Sequence, residues 1–368
     1  MAQLDLVSSA FAGGREFGGA GPYEQLEGTA SFALDPHHAF NKAIVDLDLA
    51  DHRQDGRAHF TCDIRILKPA DPSRGNRRLV LDVVNRGNPV ALRSLDLEVW
   101  PKTTPRRPGR GYIGLDSRLD PGFRGVAPGA ANGVPAKLLG PPGRPATVTE
   151  GWLLQQGYTV VSCGWQHNVP PDTGRLGLRA PHATAAGRPL TGRIRCVQQV
   201  NAPTQVVGVA DEPSGVQHLA YPVADIDDPA ATLTERDYPL APRRMVARDR
   251  WRFARLESGQ VVPDRTHVFH EDGFIPGKIY EIIYTAEGAP VTGVGFAALR
   301  DTVSFLRFAR HEEGNPCAGT IDHALAIGSS QTGRVLRQML YLGFCVDEDD
   351  RLVLDGLLAI VAGPLRSE

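Results

Sequence analysis

The run His323-Ala324-Leu325-Ala326-Ile327-Gly328-Ser329-Ser330-Gln331-Thr332-Gly333-Arg334 constrains the fold more than any other part of this chain. Four apolar or small residues lead into a turn of small residues, and a helical pattern from Gly333 to Leu342 follows. A buried strand, a sharp serine-bearing turn and a helix in that order lift a hydroxyl above the end of a parallel sheet. Crowding at such a turn demands small residues two before and two after the serine. With Ser330 as that serine, those neighbours are Gly328 and Thr332, and the next glycine is Gly333. The bland alternative is an ordinary strand-to-helix connection in which Ser329 or Ser330 caps the helix.

Upstream segments supply the rest of an α/β pattern. Ala43 to Leu49 alternates apolar and acidic residues and predicts a half-buried strand. After the Asp55-Gly56 turn, His59 to Leu67 predicts a second strand, antiparallel to the first. Leu79 to Val84 is continuously apolar, as a strand covered on both faces would be, and stops at Asn85-Arg86-Gly87-Asn88-Pro89. Trp152 to Gly157 reads as a helix with its terminal glycine, followed at once by an apolar strand from Tyr158 to Cys163. That succession implies a parallel sheet. Val294 to Arg310 carries a helical apolar stripe, Asp347 to Arg351 a charged, solvated turn, and Leu352 to Ala362 a last apolar strand. Three stretches organise the chain: residues 1–165, including a loop at 101–150 in which glycine and proline supply 18 of 50 residues, a β-rich insertion at 166–290, and a return to the α/β pattern at 291–368. The insertion is expected to pack over the sheet edge or over the site.

Composition excludes several classes. A formal net charge of −2 argues against nucleic-acid binding. No apolar run is long enough to span a membrane, and Met1 to Phe17 has no secretory pattern, so a cytoplasmic protein is expected. The five cysteines, Cys62, Cys163, Cys196, Cys317 and Cys345, form no CxxC pair and read as reduced structural thiols, with no metal and no cofactor expected. His267 and His270 have metal-like spacing, but one pair is weak evidence. His37-His38 reads as a solvated pair in a loop.

The strings Gly21-Pro22-Tyr23-Glu24, Leu26-Glu27-Gly28, Ile44 to Ala50, Val84-Asn85-Arg86-Gly87, Gly157 to Val161, Gly164-Trp165-Gln166, Arg300-Asp301, Ser304 to Arg307, Ser330 to Arg334 and Leu354-Asp355-Gly356 resemble a family of bacterial α/β-hydrolase domain proteins. That family usually has S-Q-S-G-R where this chain has S-Q-T-G-R. The resemblance covers nearly the whole chain. It implies an α/β-hydrolase-like, mostly parallel sheet with antiparallel N-terminal strands and a β-rich insertion. It implies Ser330 as nucleophile, with the N–H of Gln331 as half of an oxyanion hole and that of Arg86 or Gly87 as the other half. Trp165 and Gln166 would line the pocket. Arg334 would be a structural anchor or a contact for a substrate carboxylate. The expected activity is hydrolysis of a carboxylic ester or lactone through an acyl-enzyme. The alternatives are a non-catalytic binding protein on the same scaffold and a peptidase with the same triad.

No histidine follows Ser330. Of the upstream ones, His167 lies near the carboxyl end of a strand and His323 at the start of the serine-bearing strand. The predicted strands number six where the resemblance implies about eight. The catalytic acid and base are therefore expected outside this chain, and the sequence reads as a fragment lacking the last strands. Oligomeric state is not legible.

Overall fold

The computed structural model describes residues 3–51, 55–95, 151–170, 174–210 and 218–363. The Gly/Pro-rich loop predicted at 101–150 lies outside them. The chain forms two compact units, one from the described residues up to Pro181 together with those from Val291 on, the other from His182 to Pro290. Residues 166–181 thus sit in the first unit.

The first unit is built on one sheet. Its strands are β1 (Gln3–Ala10), β2 (Tyr23–Leu34), β3 (Ala58–Pro69), β4 (Arg78–Val83), β5 (Thr159–Cys163), β6 (His323–Ser329) and β7 (Gly356–Ile360), in the order β1-β2-β3-β5-β4-β6-β7. The short pair Leu178–Arg179 adds to β3. β1, β2, β3 and β5 pair antiparallel in turn, whereas β5, β4, β6 and β7 run parallel. The helices are α1 (Ala91–Leu95), α2 (Trp152–Gln155), α3 (Val294–Phe308) and α4 (Gln331–Leu342). This is a mixed, mostly parallel sheet of the α/β class. β4 and β5 explain their own continuous apolar character: Leu79 to Val83 and all of β5 are buried. Each buried Leu or Val there is worth about 1.5–3 kcal/mol.

The N-terminal strands differ from the sequence reading. Ala43 to Leu49 is not a strand. Ile44, Leu47 and Ala50 are buried while Val45 is exposed, so burial repeats every third residue. Asp46 has φ 58°, and Leu47–Leu49 is a 3₁₀ turn. An alternating apolar pattern and a three-residue one coincide over so short a run. The antiparallel partner of β3 is β2, with Phe32 opposite Phe60 and Leu26 opposite Ile66. β2 gave no clear alternation because Gly28 interrupts it. A Cβ there would lie 1.9 Å from Asp5 O on β1, so glycine permits the close approach of the two backbones. β1 is an edge strand in which only Leu4 and Leu6, on one face, are partly buried, too short an alternation to announce it.

The β-rich unit has a three-stranded sheet (204–208, 260–274 and 251–257) and a four-stranded one (244–245, 232–236, 279–287 and 191–198), both antiparallel. Leu233, Trp251, Phe253, Val268, Phe274, Tyr280, Ile282 and Tyr284 form its core.

Candidate functional site

Ser330 stands between β6 and α4 with φ 58° and ψ −113°. An L-residue held there is strained by about 1–3 kcal/mol, and such strain gathers at functional sites. Local contacts hold it. Ser330 N–H donates to Ile360 O at 2.9 Å, and Arg334 N–H donates to Ser330 O at 3.1 Å. Gly328 passes so close beneath the helix start that a Cβ would lie 2.5 Å from Thr332 O. Thr332, where a second small residue was expected, is fully buried. Its hydroxyl accepts from Ser329 N–H at 2.8 Å and donates to Ser329 O at 3.1 Å. The close approach to β7 falls instead on Gly333, whose Cβ would lie 2.8 Å from Ile360 O. Ser330 itself is exposed.

The parallel register brings the other predicted residues to the same edge. Asp82 on β4 pairs with Ile327 on β6 and Ser162 on β5. The three strands run parallel, so the segments that follow them, with Asn85, Trp165 and Ser330, leave the sheet at the same edge. After β4, Asn85 and Asn88 exchange two backbone hydrogen bonds of 2.9 Å, and Arg86 (φ 47°) and Gly87 (φ 78°) form the tip of this turn. The Asn85 side chain donates through Nδ2 to Ser329 O at 2.9 Å, tying the turn to the serine strand. The backbone N–H groups of Arg86, Gly87 and Gln331 donate to no group among the described residues. Trp165 Nε1 donates to Val84 O at 2.8 Å, which fixes the indole on β4. Gln166 is buried. Its Nε2 donates to Asn168 Oδ1 at 2.6 Å, while its Oε1 has no partner. The Oε1 of Gln331 is likewise buried without one. Arg334 lies in the first turn of α4.

Two residues that the sequence reading passed over support this edge. Asp82 is 1% exposed. Burial pushes its carboxyl up to about 6 against hydrogen bonds from the Val90 and Ala91 backbone and from Ser162. Both of its oxygens lie 3.0 Å from Val90 N, so it clamps the far side of the Asn85–Asn88 turn. Its only sequence signal is an acid inside an apolar run. Asn85 is the other. Asp347 also departs from expectation. The run Asp347 to Asp350 was read as solvated, but Asp347 is buried. Burial alone would raise its carboxyl, and hydrogen bonds from Ser304 and Arg351 outweigh that and lower it. It organises the 347–351 turn by accepting from Asp349 and Arg351 N–H.

No described histidine hydrogen-bonds Ser330. His167 follows β5 on the same sheet edge. His323 begins β6 at the opposite end, 3.7 Å from Asp355, which itself accepts from Ala324 N–H at 2.7 Å. His267 bonds Asp264, and His270 accepts from Asp272 N–H through Nδ1. Among the described residues, no three His, Cys, Asp or Glu side chains gather as a metal site, and no helix is long and apolar enough to cross a membrane. A broad hollow in the β-rich unit is lined by Arg255, Asp264 and Arg265. Two of these groups already pair with each other, Arg255 donating to Asp264 at 2.7 Å, and the strained serine is not among its lining residues.

Residues 200–368 match the family described as Alpha/beta hydrolase domain. Neither a curated protein nor a solved structure matches the chain. The match takes in β6, the strained serine, α4 and β7, and supports an alpha/beta-hydrolase scaffold for this part of the chain.

Proposed function

We propose that Ser330 is the nucleophile of a hydrolase acting on carboxylic esters or lactones. The observation that carries this reading is the left-handed backbone of Ser330, an exposed residue on a strained turn that Asn85 ties to the turn after β4, with the N–H groups of Gln331, Arg86 and Gly87 unpaired among the described residues. In the proposed step the Ser330 oxygen attacks the carbonyl carbon. The resulting oxyanion is taken up by the N–H of Gln331 and that of Arg86 or Gly87. One such donor is worth about 100- to 1000-fold in rate. Collapse breaks the acyl–oxygen bond, the departing alkoxide (or the opened lactone's own oxygen) takes up the proton lost by the serine, and an acyl group is left on Ser330. Water then attacks that carbonyl, the bond to Ser330 breaks, the carboxylic acid departs and a proton from the water restores the serine hydroxyl. Trp165 and Gln166 would flank the acyl group, and Arg334 would anchor the helix start.

The proton that leaves the serine needs a base, and none of the described histidines hydrogen-bonds it. That observation favours a second reading, a binding protein on a hydrolase scaffold. The two are separated by exposing the chain to a fluorophosphonate and locating the adduct by peptide mass spectrometry. A nucleophilic Ser330 gives an adduct on that residue, lost in Ser330→Ala. A binding protein gives none.

A further inference from the structure

We propose that Arg86 and Arg175 form a subsite for a carboxylate, so that the ester taken at Ser330 carries a negative charge. This deepens the proposed function and rests on it. Arg86 is half-buried at the tip of the turn after β4, and its Nη1 donates to Asn85 Oδ1 at 3.3 Å. The same asparagine donates to Ser329 O, so the guanidinium is joined to the serine turn through one side chain. Its Nε is buried with no partner.

Arg175 comes from the segment that returns toward β3. Leu176 N–H donates to Gly87 O at 2.9 Å, and Gly177 exchanges hydrogen bonds with Asp63 through its N–H (2.8 Å) and its carbonyl (3.0 Å). These bonds press the backbone of Arg175 against the turn: a Cβ on Gly87 would lie 2.7 Å from that of Arg175. Arg175 is itself half-buried, and burial and then the Arg86 charge lower its pKa. Neither arginine has an ion-pair partner among the described residues. Several arginines of this unit do: Arg65 pairs with Glu27, Arg77 with Asp322, Arg179 with Asp63 and Arg307 with Asp355.

Two like charges partly removed from water and near enough for one to lower the pKa of the other are unfavourable unless an anion joins them. Guanidinium forks suit a carboxylate, which can accept from both. A substrate with its ester at Ser330 and its carboxylate between Arg86 and Arg175 would satisfy both charges and orient the reacting carbonyl.

The test separates binding from chemistry. Ser330→Ala protein is titrated calorimetrically with monomethyl glutarate and with its neutral counterpart, methyl butyrate. The anionic ester should bind at least about tenfold more tightly, and Arg175→Gln in the same background should remove that advantage, a loss of roughly 10- to 100-fold. Arg175→Gln should melt no lower than its parent in anion-free buffer, because it removes a repulsion. Equal affinities for the two esters, no binding of either, unchanged binding in Arg175→Gln, or a lower melting temperature for that variant would each overturn the proposal. Adduct formation at Ser330 is measured separately, so failure of the subsite and failure of the nucleophile are read from different experiments.

Discussion

Ser330 keeps a backbone conformation that glycine would adopt with less strain. Replacing it therefore gives an ordering opposite to the usual one. Ser330→Gly should be more stable than Ser330→Ala by about 1 kcal/mol, since only glycine relieves the positive φ. Thermal or denaturant unfolding checks this, and an alanine variant at least as stable as the glycine variant would contradict it. Asp82 makes a second prediction. Its folded pKa, about 6, is above its ordinary 3.8. Its contribution to stability is therefore complete below 3.8 and lost as pH rises through 6. Asp82→Asn does not titrate, so the stability difference should move in its favour by roughly 1–1.5 kcal/mol from about pH 5 to pH 8. Urea unfolding at several pH values measures it; a difference that is constant or moves the other way contradicts the assignment. At this scale the sequence was informative about the sharp turn at Ser330 and the close packing at Gly328, which are local. It was silent on Asp82 and Asp347, because burial of a charged side chain depends on partners such as Val90 or Ser304 that only folding supplies.

The turn after β4 and the turn after β6 act as one element because Asn85 spans them. Asn85→Ala should cost about 1 kcal/mol of stability, the value of one net hydrogen bond. It should also slow adduct formation at Ser330, since the N–H groups of Arg86 and Gly87 would no longer be held against the serine strand. An unchanged labelling rate would show that the tie is structural only. Elements with continuous apolar runs, β4 and β5, and the striped helix α3 were legible because their burial is uniform or has a clear period. β1 has only Leu4 and Leu6 as its apolar face, β2 is broken by Gly28, and the 43–49 run borrows the appearance of a strand from a three-residue burial repeat. Parallel register, which brings Trp165, Gln166, Arg86 and Ser330 to one edge, follows from strand order and cannot be read from any one segment.

For the whole molecule, the α/β class was readable because the strand–turn–helix run at 323–342 fits few other architectures, and the family match over 200–368 agrees with it. What the pattern of residues did not convey is that the first unit runs on to Pro181 rather than ending at 165, since proline-punctuated short strands continue across that boundary. The central claim is the proposed nucleophile Ser330, which no histidine among the described residues hydrogen-bonds. It is tested by the rate of fluorophosphonate labelling with and without added imidazole. Labelling should be slow, confined to Ser330, and accelerated by imidazole on the order of tenfold or more, because an external base replaces part of a contribution normally worth about 100- to 10,000-fold. No adduct at Ser330 even with imidazole would contradict the nucleophile, and rapid labelling abolished by His167→Ala would contradict the absence of a histidine base among the described residues.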